Sequence, residues 1–129
     1  WSKGLTDIGK HILVGDLNIA PHENDVWSHK QLRNVVSHTP VEIQGLSNWQ
    51  AAHGWVDAIR TVIPEDKKIY SWWSYRNRTW PGSDRGRRLD HIWVSPALAK
   101  RVTDAGVLRE ARGWEKPSDH APVWADIDL

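Results

Sequence analysis

A chain of 129 residues, 40% hydrophobic and 26% charged, is long enough to bury one core and has the composition of a folded domain. Its net charge of +1 favours no class of partner, and no apolar run approaches the roughly 20 residues of a membrane-spanning helix. With no cysteine, disulfides and thiolate metal sites are excluded, which suits a cytoplasmic protein. The chain has ten tryptophans, no phenylalanine and no methionine, and it opens on Trp1, so we expect a piece of a longer polypeptide.

The first element is an apolar run, His11 to Gly15, which reads as a buried strand with Asp16 at its polar tip. Pro21 opens a loop, and Trp27 to Val36 is expected to be a helix capped near Asn24 or Asp25 and ending before Pro40. Leu46 to Ala52 and Trp55 to Ile63 read as two short helices divided at Gly54, the second stopped by Pro64. Tyr70 to Tyr75 is rich in strand formers, which would send Trp72 and Trp73 to opposite faces. Arg76 to Arg87 is a loop, and Arg88 to Val94 a strand with large residues on both faces. Pro96 to Arg101 gives a helical turn, Val102 to Glu110 an edge strand, and His120 to Ile127 a last strand. In that last strand Ala121, Val123, Ala125 and Ile127 alternate onto the core side. The mixture predicts an α/β fold with helices on one face of a sheet. Trp93 and Trp124 are expected on the other face, which would need a further covering layer.

Candidate chemistry sits at the strand ends. Asp16 and Asn18 stand two residues apart where the chain leaves the first strand; they can orient a water and a phosphate oxygen, or simply make a turn. Asp90 lies within a strand and needs a partner, either a catalytic one or Arg88 on its own face. Asp119 and His120 open the last strand, where an adjacent pair can divide between a metal and a substrate, or serve only as loop residues. Together the five form an oxygen-rich set suited to magnesium, not to zinc. His22, His29, His38 and His53 lack ligand spacing and read as surface or loop residues.

Five segments then carry a resemblance across nearly the whole chain. They are Gly-Asp-Leu-Asn-Ile-Ala-Pro at 15–21, Gly-Trp-Val-Asp-Ala-Ile-Arg at 54–60 and Ser-Trp-Trp-Ser-Tyr-Arg at 71–76. Arg-Gly-Arg-Arg-Leu-Asp-His at 85–91 and Glu-Lys-Pro-Ser-Asp-His-Ala-Pro-Val-Trp at 115–124 complete the series. In this order they resemble bacterial exonuclease III and the related abasic-site endonucleases. The Ser-Asp-His ending is shared with DNase I-like nucleases and inositol phosphatases, whereas the segments at 71–76 and 85–91 are narrower.

The resemblance implies half of a DNase I-like four-layer α/β sandwich, with a mostly antiparallel sheet, residues 1–129 forming the C-terminal half-domain. It implies a magnesium-dependent phosphodiesterase acting on duplex DNA, with manganese as the alternative ion. By the family's pattern Asp16 would activate water, Asn18 would position phosphate, and His120 would contact the scissile phosphate or act as a base. Asp90 would orient His120, and Asp119 would bind the metal. Trp72 would line a pocket for the abasic sugar or terminal nucleotide. Arg76, Arg78, Trp80, Arg85 and Arg87, in a loop with five arginines against one aspartate through Arg88, would track the DNA backbone, with Trp80 as a wedge. Asp57 and Arg60 would form a structural pair. Family members also use a glutamate, an asparagine and a tyrosine from an N-terminal half that has no counterpart here. The alternatives are a silent fragment that binds DNA or covers its open sheet face as a homodimer, and a phosphatase of small phosphorylated molecules.

Overall fold

The computed structural model describes Gly4 and residues 9–129. Among them an antiparallel three-stranded sheet runs in the order β1-β3-β2, from β1 (Ile12–Asp16), β2 (Val56–Asp57) and β3 (Asp90–Val94). A second antiparallel pair joins β4 (Val102–Val107) to β5 (Val123–Ile127). Because directly opposed residues share a face, the pairing of Leu13 with Trp93 and of Val14 with Ile92 sorts the side chains into two layers.

Leu13 and Trp93 face a helix, α2 (Pro40–Ala52), packing with Leu46, Trp49 and Trp55. That helix starts earlier than the sequence suggested. Thr39 caps it, accepting from the Glu42 amide while Glu42 reaches back to the Thr39 amide, and Pro40 takes the first-turn position where no donor is needed. The expected helix at 27–36 contracts to α1 (His29–Leu32), capped by Ser28. The expected helix at 55–63 divides into β2 and α3 (Ala58–Val62), because the Asp57 carboxylate accepts from the amides of Ile59 and Arg60 and restarts the chain as a helix.

On the opposite layer Ile92 and Val94 meet Ala58 of α3 and Val123, Ala125 and Ile127 of β5, the alternation expected for the last strand. Trp93 is therefore covered, contrary to the sequence reading. The open apolar surface lies instead on β1, where Ile12 and Val14 are 47% and 65% exposed, and at Trp124 on β5.

Residues 70–75 are not a strand. Trp72 makes isolated bridges to Arg87 and His120, and α4 (Trp80–Ser83) interrupts the arginine loop. Gly86 is required at its place: a Cβ there would stand 2.5 Å from the Tyr70 side chain. The strands at 88–94, 102–110 and 120–127 are shorter than expected, at 90–94, 102–107 and 123–127.

Under the sheet's edge lies a buried charge network. Arg88 is fully buried, with Nε 2.7 Å and Nη2 2.9 Å from the two carboxylate oxygens of Asp25, and Nη1 2.8 Å from Asp57. Arg60 adds a contact of 2.6 Å to Asp25. Burial alone would raise the Asp25 pKa, but the two guanidiniums outweigh it and hold the carboxyl at about 2. Asp57 and Arg60, expected to pair with each other, join this network through Arg88 and Asp25 respectively. His38 and His53 are also buried, not at the surface.

Candidate active site

The register of β1 on β3 pairs Asp16 with Asp90, so two carboxylates stand opposite each other at one end of the sheet. Like charges in that relation are unfavourable unless something cationic lies between them. His120 supplies it. The face carrying Asp16 and Asp90 is the one β5 packs against, and His120 precedes β5 by three residues, so the chain delivers the imidazole onto the pair.

His120 Nδ1 lies 2.8 Å from Asp90 Oδ2, and Nε2 lies 3.7 Å from Asp16 Oδ2. A carboxylate can only accept, so Nδ1 carries a proton. Burial works to lower the His120 pKa. The hydrogen bond to Asp90 and the charges of Asp90, Asp16 and Asp119 outweigh it, and the net shift is upward. Asp90 does not pair with Arg88, which Asp25 and Asp57 occupy.

Ser71, absent from the sequence-based set, locks this arrangement. Its hydroxyl accepts from the amides of Leu89 (3.0 Å) and Asp90 (3.1 Å), which commits its own proton to Asp90 Oδ2 at 2.7 Å. Its carbonyl accepts from the Ala121 amide at 2.7 Å, tying the His120 segment to the same spot. The signal was in the sequence, since Ser71 opens one of the five quoted segments, but nothing in its neighbours marks it as buried.

Asp16 does two things at once. Oδ1 accepts from the Asn18 amide at 2.9 Å, the turn that any aspartate can make, while Oδ2 faces His120. Asn18 adopts a left-handed φ of 55°, which asparagine tolerates, and lines a cleft of about 330 Å³ with His120, Trp72, Arg87 and Leu89.

Asp16, Asp90 and His120 each offer a ligand atom within 4.8 Å of the others. Asp90 Oδ2 is committed to His120 and Ser71, so the oxygens open to an ion are few. The carboxylate oxygens that remain, and not the His120 ring, fit a hard divalent cation that takes one or two carboxylates and completes its shell with water and phosphate. Asp119 lies outside that group of three: its Oδ2 accepts from the Trp72 indole at 3.0 Å, while its charge still acts on His120.

Residues 2–120 match the model of the Endonuclease/Exonuclease/phosphatase family. The chain belongs to that family. It is 36% identical over 125 residues to exodeoxyribonuclease III of Haemophilus influenzae, covering 90% of this chain and 45% of that protein. It is similar to an AP endonuclease structure from Archaeoglobus fulgidus, with a TM-score of 0.93, 30% identity, 99% of this chain and 49% of that one. It is also similar to a 3′ phosphatase from Neisseria solved with a product DNA hairpin, with a TM-score of 0.87, 38% identity, 94% of this chain and 46% of that one. The chain thus spans slightly under half the length of these relatives, and its elements make up about half of a DNase I-like fold.

Next to the group of three formed by Asp16, Asp90 and His120, the arginine loop divides. Arg76, Arg85 and Arg87 line a cleft of about 600 Å³ with Trp27, Trp72, Ser74 and Asn77. Arg78 is exposed and lies outside that lining. Trp80 is not a projecting wedge, because it packs against Trp73 and lies under Arg109 and Arg112. Trp73 is fully buried with its indole bonded to Asp84, a core residue, whereas Trp72 is the half-buried ring that faces the clefts.

Proposed function

We propose that this chain is the C-terminal half-domain of a magnesium-dependent phosphodiesterase that cuts duplex DNA, removing nucleotides from 3′ ends and incising at abasic sites. The observation that carries the reading is the convergence of Asp16, Asp90 and His120 beside arginine-lined clefts. The relatives' names and the DNA hairpin held by the Neisseria structure support it.

In this reading Asp90 fixes the His120 ring, and the upward shift of His120 suits an imidazolium that contacts the scissile phosphate better than it suits a base. Asp16, its Oδ2 facing His120 without a hydrogen bond, orients the attacking water, and Asn18, which lines the cleft, holds a phosphate oxygen. Asp119 contributes to the metal from its second carboxylate oxygen, with further oxygen ligands from the rest of the fold. Magnesium, or manganese in its place, would stabilise charge on the phosphate and on the departing oxygen.

The share of the relatives' length covered, and the exposed Ile12 and Val14, support a second half-domain lying against β1. A homodimer is the other way to cover those residues, and sedimentation of the isolated chain distinguishes the two. The functional test is incision of a labelled duplex carrying one abasic site, by the chain alone and by the chain combined with the N-terminal half-domain of a relative. We expect incision in the combined sample with magnesium and none after chelation. A folded, DNA-bound combined sample that cuts with neither magnesium nor manganese would sink the reading.

A further inference from the structure

The cleft between Trp27 and Trp72 has more flat surface than a phosphate backbone requires. Arg85 stands over the Trp27 ring, 4.8 Å from its centroid, and Arg87 over the Trp72 ring at 5.4 Å. Both rings and the Arg87 guanidinium are fixed from behind. Trp27 packs on the clusters around Leu89 and around Trp73, and its amide bonds Gly86 O. Trp72 is held by Asp119, and Arg87 donates to Val36 O at 3.0 Å and Ser37 Oγ at 2.9 Å.

Tracking a backbone needs cations but no stacking platforms. A base inside a duplex is already stacked on both neighbours and gains nothing from them, whereas an unpaired base gains from an aromatic or guanidinium plane whatever its identity. The volume, about 600 Å³, suits one nucleotide. Trp72 and Arg87 also line the smaller cleft that His120 borders, so the two clefts adjoin.

We propose that the cleft between Trp27 and Trp72 is a subsite for an unstacked nucleotide, which makes single-stranded 3′ extensions a substrate class of this site. Arg76 and Asn77 attend its phosphate, and the neighbouring phosphate of the same strand falls at His120. The second statement rests on the nuclease reading; binding in the cleft does not.

The test is fluorescence anisotropy of this chain with a labelled oligodeoxythymidylate of about twelve nucleotides and with a blunt hairpin. Trp27→Ala should weaken binding of the single strand about tenfold and of the hairpin less than about twofold, the difference expected for one lost stacking platform. Arg85→Lys, at an exposed residue that does not hold the core, keeps the charge and removes the plane; it should weaken the single strand about threefold. Equal losses on both DNAs, or Arg85→Lys binding like the parent, would overturn the subsite, and the second variant decides the matter if the first does not fold. Incision of the abasic duplex by the chain combined with the N-terminal half-domain of a relative, measured in parallel, separates the ideas. Selective loss of single-strand binding without incision retires the nuclease reading alone, and incision without selective loss retires the subsite alone.

Discussion

Arg88 and Asp90 stand two residues apart at the start of one strand and end in opposite kinds of environment. Arg88 has its carboxylate partners around it, no access to solvent, and a place beneath the sheet. Asp90 belongs to a group whose His120 and Asp16 side chains are 30% and 39% exposed, with Nε2 and Oδ2 facing each other across 3.7 Å without a hydrogen bond. Both regions are built from carboxylates and a cationic base. In the first every charge has a buried counter-charge and the charges serve the fold. In the second the bonding capacity is left partly open, and what is left open can act on a ligand.

The sharpest way to break this comparison is to exchange the consequences. Asp25→Ala leaves Arg88 buried with Asp57 alone and takes the carboxylate partner from the buried Arg60, so we expect a loss of about 3–5 kcal/mol in urea unfolding. A loss under about 1 kcal/mol would mean that water or another carboxylate fills the gap and the network is not closed. His120→Ala should do the reverse. The rate of the assembled nuclease is expected to fall by about two to four decades, while stability falls by no more than about 1 kcal/mol from the Asp16–Asp90 repulsion left behind. An unchanged rate would remove His120 from the chemistry, and a large loss of stability would make the open region a structural one.

The same two regions show what local sequence conveys. β1 and β3 were legible because an apolar run with large residues on alternate sides fits a pleated layer, and the motif residues fell at their ends. The pairing of Asp90 was not. Arg88 is its near neighbour in the chain, and only the fold shows that Arg88 is claimed by Asp25, 63 residues away in sequence. α2 starts six residues before the expected Leu46 although Thr39, Pro40 and Glu42 spell a capping box, because a proline can end the preceding element as well as open a first turn. Tyr70 to Tyr75 has strand-forming side chains, yet its backbone bonds go to Arg87 on one segment and to Asp119 and Ala121 on another, as isolated bridges and not a ladder, which no propensity encodes.

Acid sharpens the comparison further, because the buried region should respond through groups the open region lacks. His91 is fully buried beside Arg88 with Nε2 2.7 Å from the Ile19 carbonyl. Burial, then the Arg88 charge, lower its pKa to about 4. Below its unfolded value near 6.5 the unfolded chain takes a proton that the native chain refuses. Its contribution is therefore intact above that value and is lost as pH falls toward 4, on the order of 2 kcal/mol. Asp25, with its pKa depressed from 3.8 to about 2, adds a second loss between those values. Urea midpoints at neutral pH and at about pH 4.5 check the first step. A His91→Gln variant, which keeps a donor for Ile19, should flatten the slope, and an unaltered slope would assign the acid sensitivity elsewhere.

The smallest expected effect concerns the residue that joins the two regions. Ser71 is fully buried, and its single hydroxyl closes two amides at the beginning of β3 while giving its proton to Asp90. Ser71→Ala leaves those amides to the remaining backbone and frees Asp90 Oδ2 of one of its two donors. The cost in stability should be about 1 kcal/mol, far below that of Asp25→Ala. Its larger consequence is positional. Asp90 with one donor fewer pulls harder on the His120 proton and holds the ring less firmly, so turnover should fall roughly tenfold and the pH at which His120 loses its proton should rise. That rise, read by NMR of the imidazole, is what a purely structural serine would not produce. A variant that loses stability with the titration of His120 unmoved would assign Ser71 to the closed region alone.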